Sequence, residues 1–240
     1  MDALLQAVLD ANGGIARWET ASTITARIEY GGPFWEFKGQ PEFAGHAQVE
    51  ARVHEEWIRF TQEGSGVVMV YDKNADTVTV STAEGAVIDS LDHPRATFDG
   101  YDSNAPWTQA QMAYFRAYAT WHYLVEPLIF TMPGVEAHEI ESWNEGDATW
   151  RVLSVTFPDT IDTHNATQLY YYDEQLRFRR MDYAPVVNGG SPTAHYIRES
   201  IELGGLQVPT KRHIHIRNDD RTPDLSWVPI TLDLQDVAVA

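Results

Sequence analysis

The sequence is 240 residues long, 43% hydrophobic and 12% aromatic, and carries a formal net charge of −18. A chain of this length can bury well over half of its unfolded surface, and its apolar share excludes a disordered polymer. The acidic balance repels phosphate backbones and anionic headgroups, which counts against nucleic acid and membrane insertion as partners. The absence of cysteine excludes disulfides, thiolate zinc sites and cysteine nucleophiles.

Leu4, Leu5, Val8 and Leu9 recur at helical spacing, and Asn12-Gly13-Gly14 supplies residues tolerant of positive φ that end the helix. This N-terminus has an acid where a secretory signal carries basic residues, so the expected location is the cytoplasm. Next come STITARIEYGG, PFWEFKGQ, HAQVEARVHEEWIRFTQ, GVVMVYD and DTVTVST, β-branched and aromatic runs separated by Gly, Pro, Asp and Asn. These read as an antiparallel meander. Within it Ile24, Ala26 and Ile28 face the core, while Thr23, Thr25, Arg27 and Glu29 face water.

A polar loop is expected from Asp89 to Asn104, followed by a long helix opened by Pro106-Trp107-Thr108, capped by Asn104 or Thr108 and bent or ended at Pro127. Strands resume after Pro133-Gly134, in VEAHEIESW, ATWRVLSVTFP, TQLYYYDE, LRFRRMDYAPV, TAHYIRESIEL, LQVPTKRHIHIR and VPITLDLQDVAV. Asn188-Gly189-Gly190 reads as a hairpin turn. Many strands with one helix in front and one in the middle do not make a βαβ parallel sheet. The fold class is mainly β (α+β): one domain over residues 1–240, a large curved antiparallel sheet or open half-barrel with helices across its concave face.

The opening helix ending in Asn12-Gly13-Gly14, then Trp18 and a strand beginning Ser22-Thr23-Ile24-Thr25-Ala26, followed by meandering strands and an aromatic mid-chain helix, resembles the bacterial lipoprotein-carrier superfamily of the LolA and LppX type. The resemblance implies a half-barrel with helical lids over a cavity for acyl chains. Those carriers are exported, whereas this chain shows no signal.

In the long helix Tyr114, Tyr118, Trp121, Val125 and Leu128 share one stripe, with Phe115, His122, Glu126 and Ile129 on the stripe beside it and Ala113, Ala117, Thr120 and Leu124 opposite. The rings either fill core or wall a cavity. His122 and Glu126 are an i, i+4 pair, the spacing at which a carboxylate can orient an imidazole for acid–base work or simply satisfy it. In LQVPTKRHIHIR, Lys211, His213, His215 and Arg217 share one strand face, and Arg212, Ile214 and Ile216 the other. Two such histidines can hold zinc only with a third ligand, for which His164 and His195 are candidates, and the flanking cations disfavour a metal. Arg180 and Asp182 share a face, and so do His195, Ile197 and Glu199 if their strand is regular.

No phosphate loop, G-x-S-x-G elbow, H-E-x-x-H or G-x-G-x-x-G is present, so no metal and no cofactor is expected. Two functions remain. The first is a binder of a hydrophobic small molecule (acyl, polyketide or terpenoid) held between the sheet and the 106–133 helix by Tyr114, Phe115, Tyr118, Trp121, Val125, His195, Tyr196, His213 and His215. The second is an acid–base enzyme (cyclase, isomerase, dehydratase or hydratase) in the same cavity, using His122, Glu126 and Tyr118.

Overall fold

A computed structural model describes the chain from Met1 to Ala240. Thirteen strands form one antiparallel sheet: β1 (Thr23–Gly31), β2 (Gly45–Arg52), β3 (Trp57–Gln62), β4 (Val68–Asp72), β5 (Thr77–Ser81), β6 (Val87–Asp92), β7 (Glu136–Glu145), β8 (Ala148–Thr156), β9 (Thr167–Tyr172), β10 (Phe178–Tyr183), β11 (Thr193–Leu203), β12 (Leu206–Ile216) and β13 (Ile230–Val239). Their spatial order is β6-β5-β4-β3-β2-β1-β13-β12-β11-β10-β9-β8-β7. The first six strands meander outward to one edge; the chain then crosses to the opposite edge and meanders back. The last strand, β13, therefore lies between β1 and β12, with Ile28 opposite Leu234 and Arg212 opposite Leu232. The sheet stays open and curved as a half-barrel.

The crossing from β6 to β7 explains the long helix. Two edge strands on opposite sides of a half-barrel are joined most directly through its concave side, and α4 (Gln109–Val125) makes that traverse, its 17 residues covering about 25 Å. Thr108 caps it: the Thr108 hydroxyl accepts from the Gln111 N–H at 3.2 Å, and Gln111 Oε1 accepts from the Thr108 N–H at 3.0 Å. Glu126 is the C-cap, and Pro127, two residues past Val125, bars the helix from continuing. Every residue from Ala110 to Val125 is buried, so the helix is covered on all sides, small residues included. A second helix, α1 (Ala3–Ala11), is capped by Asp2 and turns Leu4, Leu5, Val8 and Leu9 inward. Two short helices complete the set, α2 (Ile15–Glu19) and α3 (Phe34–Phe37).

Three local expectations are corrected. PFWEFKGQ is no strand: Gly32 sits at φ +94°, where a Cβ would collide with the Pro229 carbonyl, and Pro33 sets a helical start, so Phe34–Phe37 coil into α3. HAQVEARVHEEWIRFTQ is two strands, because the chain bends between Arg52 and Trp57. Asp89 to Asn104 holds the end of β6 and a 3₁₀ turn at Pro94–Phe98. An edge strand shows its side chains to water, so its composition reads as loop.

Candidate functional site

Alternation assigns each strand residue to a face. Tyr30, Tyr170, Tyr172, Met181, Tyr183, His195, Ile197, Arg212 and Ile214 point to the concave side, where α4 lies. Arg180, Asp182, Tyr196, His213 and His215 point to the convex side. The structure therefore separates the expected ligand-binding set. Tyr196 donates to Glu145 Oε1 at 2.6 Å and accepts from Arg180 Nη1 at 2.9 Å, in a small apolar cluster with Trp150 and Tyr171. His215 Nδ1 meets the carbonyls of Asp224 and Trp227 at 3.2 and 3.3 Å. None of Tyr196, His213 and His215 shares a face with α4, because they alternate with the residues that do.

The helix residues are packed in the interior. Tyr114 donates to Asp162 Oδ2 at 2.7 Å, beside Tyr71 at 2.6 Å, while Lys73 Nζ reaches Asp162 Oδ1 at 3.0 Å. Glu56 Oε2 accepts the Asp162 N–H, and burial, then the Asp162 charge, push the Glu56 carboxyl well above its ordinary value. Trp121 Nε1 donates to the Arg52 carbonyl at 2.8 Å. Tyr118 and Tyr123 clasp His164, at 3.1 Å on Nδ1 and 2.7 Å on Nε2, and Tyr183 stacks on that ring at 3.9 Å. Burial holds both His164 and His195 well below the usual imidazole range, as neutral rings. Phe115 and Val125 are core. Between α4 and the sheet lie two small voids, about 30 and 50 Å³. The hollow expected under the ring stripe is largely taken up by side chains, and the hydroxyls of Tyr114 and Tyr118 find partners in Asp162 and His164, on the segment between β8 and β9.

The usable space lies at the other end of the helix. A cavity of about 320 Å³ opens between α1, the Glu126-Pro127 corner and strands β9 to β12. Val8, Pro127, Tyr172, Phe178, Ile197 and Pro209 give it apolar walls, and Asn12, Glu126, Arg177, Arg179, Arg198 and Glu199 give it polar ones. The strand carrying Ile197 is irregular: its register shifts between Ile197 and Glu199, which brings Arg198 and Glu199 together to the cavity. Arg212 sits one layer behind the wall, fully buried, with Nη2 at 3.2 Å from Glu126 Oε2 and 3.1 Å from the Tyr123 carbonyl.

His122 and Glu126 do meet, with Nε2 3.3 Å from Oε1, but Nε2 is hydrogen-bonded to the Tyr170 hydroxyl at 2.7 Å. His122 borders none of the three cavities described above, and Tyr118 is likewise enclosed, whereas Glu126 borders the largest. Four side chains near this end keep buried atoms without hydrogen-bond partners: Glu126 Oε1, His122 Nδ1, His195 Nε2, and Nε and Nη1 of Arg212. No group of three His, Asp or Glu is arranged to hold a metal ion. A second groove, about 620 Å³ and more open, runs past Lys73, His93, Arg95 and Asp162 at the opposite end of α4.

Sequence reasoning missed Arg212, Val8, Asn12, Phe178 and Ile197. A signal for Arg212 was present: a cation alternating with Ile214 and Ile216 on an apolar face demands a buried partner, which Glu126 supplies.

No protein-family model matches the chain, and a search of curated proteins finds no match. Solved structures do match over nearly the whole length. A LolA-superfamily protein from Nitrosomonas europaea is 13% identical, with a TM-score of 0.55 over 98% of this chain and 93% of that one. A DUF1329-family protein from Desulfovibrio piger is 9% identical, with a TM-score of 0.56 over 100% and 94%. At such identities the likeness is one of fold. In fold, then, the chain is similar from end to end to the LolA-type half-barrel.

Proposed function

We propose that the protein binds a hydrophobic small molecule of acyl, polyketide or terpenoid type in the cavity between α1, the Glu126-Pro127 corner and β9 to β12. The observation that carries this reading is the cavity itself. At about 320 Å³ it falls within the size range of small-molecule sites, and its walls combine apolar side chains with a few charged ones. The likeness in fold to a LolA-superfamily protein supports a role in holding an apolar guest. Binding is favoured over acid–base turnover because the His122 ring is 1% exposed and its Nε2 is already committed to Tyr170.

The test is an equilibrium titration with a fluorescent fatty acid, alongside native mass spectrometry of protein purified from its own host. The wild type is expected to bind, and Ile197→Trp, which fills the cavity, to weaken binding by at least about tenfold while circular dichroism stays unchanged. Equal binding by wild type and Ile197→Trp sinks the placement of the ligand here.

A further inference from the structure

An apolar body alone leaves two features of this cavity unused. The Glu126 side chain borders it yet is only 4% exposed; Oε2 pairs with Arg212, while Oε1 accepts no hydrogen bond. The neighbour of Oε1, His122 Nε2, points its bond at Tyr170. A buried carboxylate oxygen without a donor is costly, so it presents an acceptor to whatever fills the space beside it.

The arginines supply the second feature. Arg177 is tied to Asp173 at 2.8 Å, and Arg198 lies against His215 at 3.4 Å and over the Tyr196 ring. Arg179 is half-buried at the cavity and makes no side-chain hydrogen bond or ion pair. Its guanidinium is free to take an anion, for which its fork of donors is suited.

We propose that the cavity selects an amphiphile bearing both an anionic group, held by Arg179, and a hydroxyl, which donates to Glu126 Oε1: a hydroxylated carboxylic acid in preference to a plain fatty acid or a neutral hydrocarbon. This rests on the binding reading above and deepens it. A plain acyl chain leaves Oε1 unpaired, and an ester leaves Arg179 unpaired.

The experiment is calorimetric titration of the full chain with laurate, β-hydroxylaurate, ω-hydroxylaurate and the methyl esters of all three. On the wild type at least one hydroxy acid is expected to bind about tenfold or more tightly than laurate, and its ester more weakly than the acid. Arg179→Gln is expected to weaken the acids about tenfold and leave the esters unchanged. Glu126→Leu alone strands the buried Arg212 charge, so the informative variant is Glu126→Leu combined with Arg212→Met, in which the preference for a hydroxyl is expected to vanish. If laurate and both hydroxy acids bind the wild type equally, the selectivity is overturned while the binding reading stands. If no probe binds at all, both fall.

Discussion

At its first turns α4 meets a carboxylate hub whose hydrogen bonds are made, and at its last it meets a carboxylate left half-paired beside a cavity. Around Tyr114, Asp162 receives two tyrosine hydroxyls and a lysine, and its own N–H goes to Glu56. Around Glu126, one carboxylate oxygen, one imidazole nitrogen and two guanidinium nitrogens go without partners, beside a cavity of about 320 Å³. At that corner, spare hydrogen-bonding capacity lies beside room for a guest. Saturated polar groups lock a helix in place, whereas unsaturated ones at a void hold recognition in reserve.

Four measurements test that contrast. The largest effect is expected at the cavity end: Arg212→Met leaves the Glu126 side chain buried without its ion-pair partner and costs about 3–5 kcal/mol in denaturant unfolding, whereas adding Glu126→Leu restores most of the loss. A double variant as unstable as the single one breaks the argument that the pair matters as a pair. At the filled end Tyr114→Phe removes one of the bonds to Asp162, for an expected loss of about 1.5–3 kcal/mol. An unchanged midpoint would show that the Asp162 hub is redundant.

The third measurement reads the same hub by pH. Glu56 keeps its proton in the folded chain above the ordinary 4.5, whereas the unfolded chain releases it, so this group erodes stability as pH rises from there. Glu56→Gln is therefore expected to gain on the wild type by up to about 1.4 kcal/mol per pH unit above that point. The buried His164 and His195 act oppositely: below the ordinary 6.5 the unfolded chain takes up protons that the folded chain refuses, and stability falls with falling pH. A stability difference between Glu56→Gln and wild type that is flat in pH refutes the Glu56 account. The smallest effect is expected at Lys211, an exposed cation 3.5 Å from Glu199: Lys211→Ala is expected to change stability by no more than about 0.5 kcal/mol.

Period carried most of the fold into the sequence. Ile230, Leu232 and Leu234 alternate in β13 as their spacing requires, and Thr108 opens α4. Where a run is dictated by a distant neighbour, as at Gly32 against Pro229, local pattern misleads. The site was harder to read. The i, i+4 spacing of His122 and Glu126 is local and visible, but the partner of Glu126 comes from 86 residues away, and the cavity depends on α1 reaching across to β12. His213 and His215 drew notice by chemistry, yet a strand's two faces look alike until the sheet's curvature assigns one of them to α4.

The position of β13 has a consequence for biosynthesis. Ser22 and Thr23 donate their N–H groups to the carbonyl of Ala240, and β1 finds its second neighbour only in β13, the thirteenth strand in chain order. A chain that has not yet made β13 therefore carries two unjoined half-sheets with bare flanks, so a product truncated before β13 is prone to pairing with its siblings.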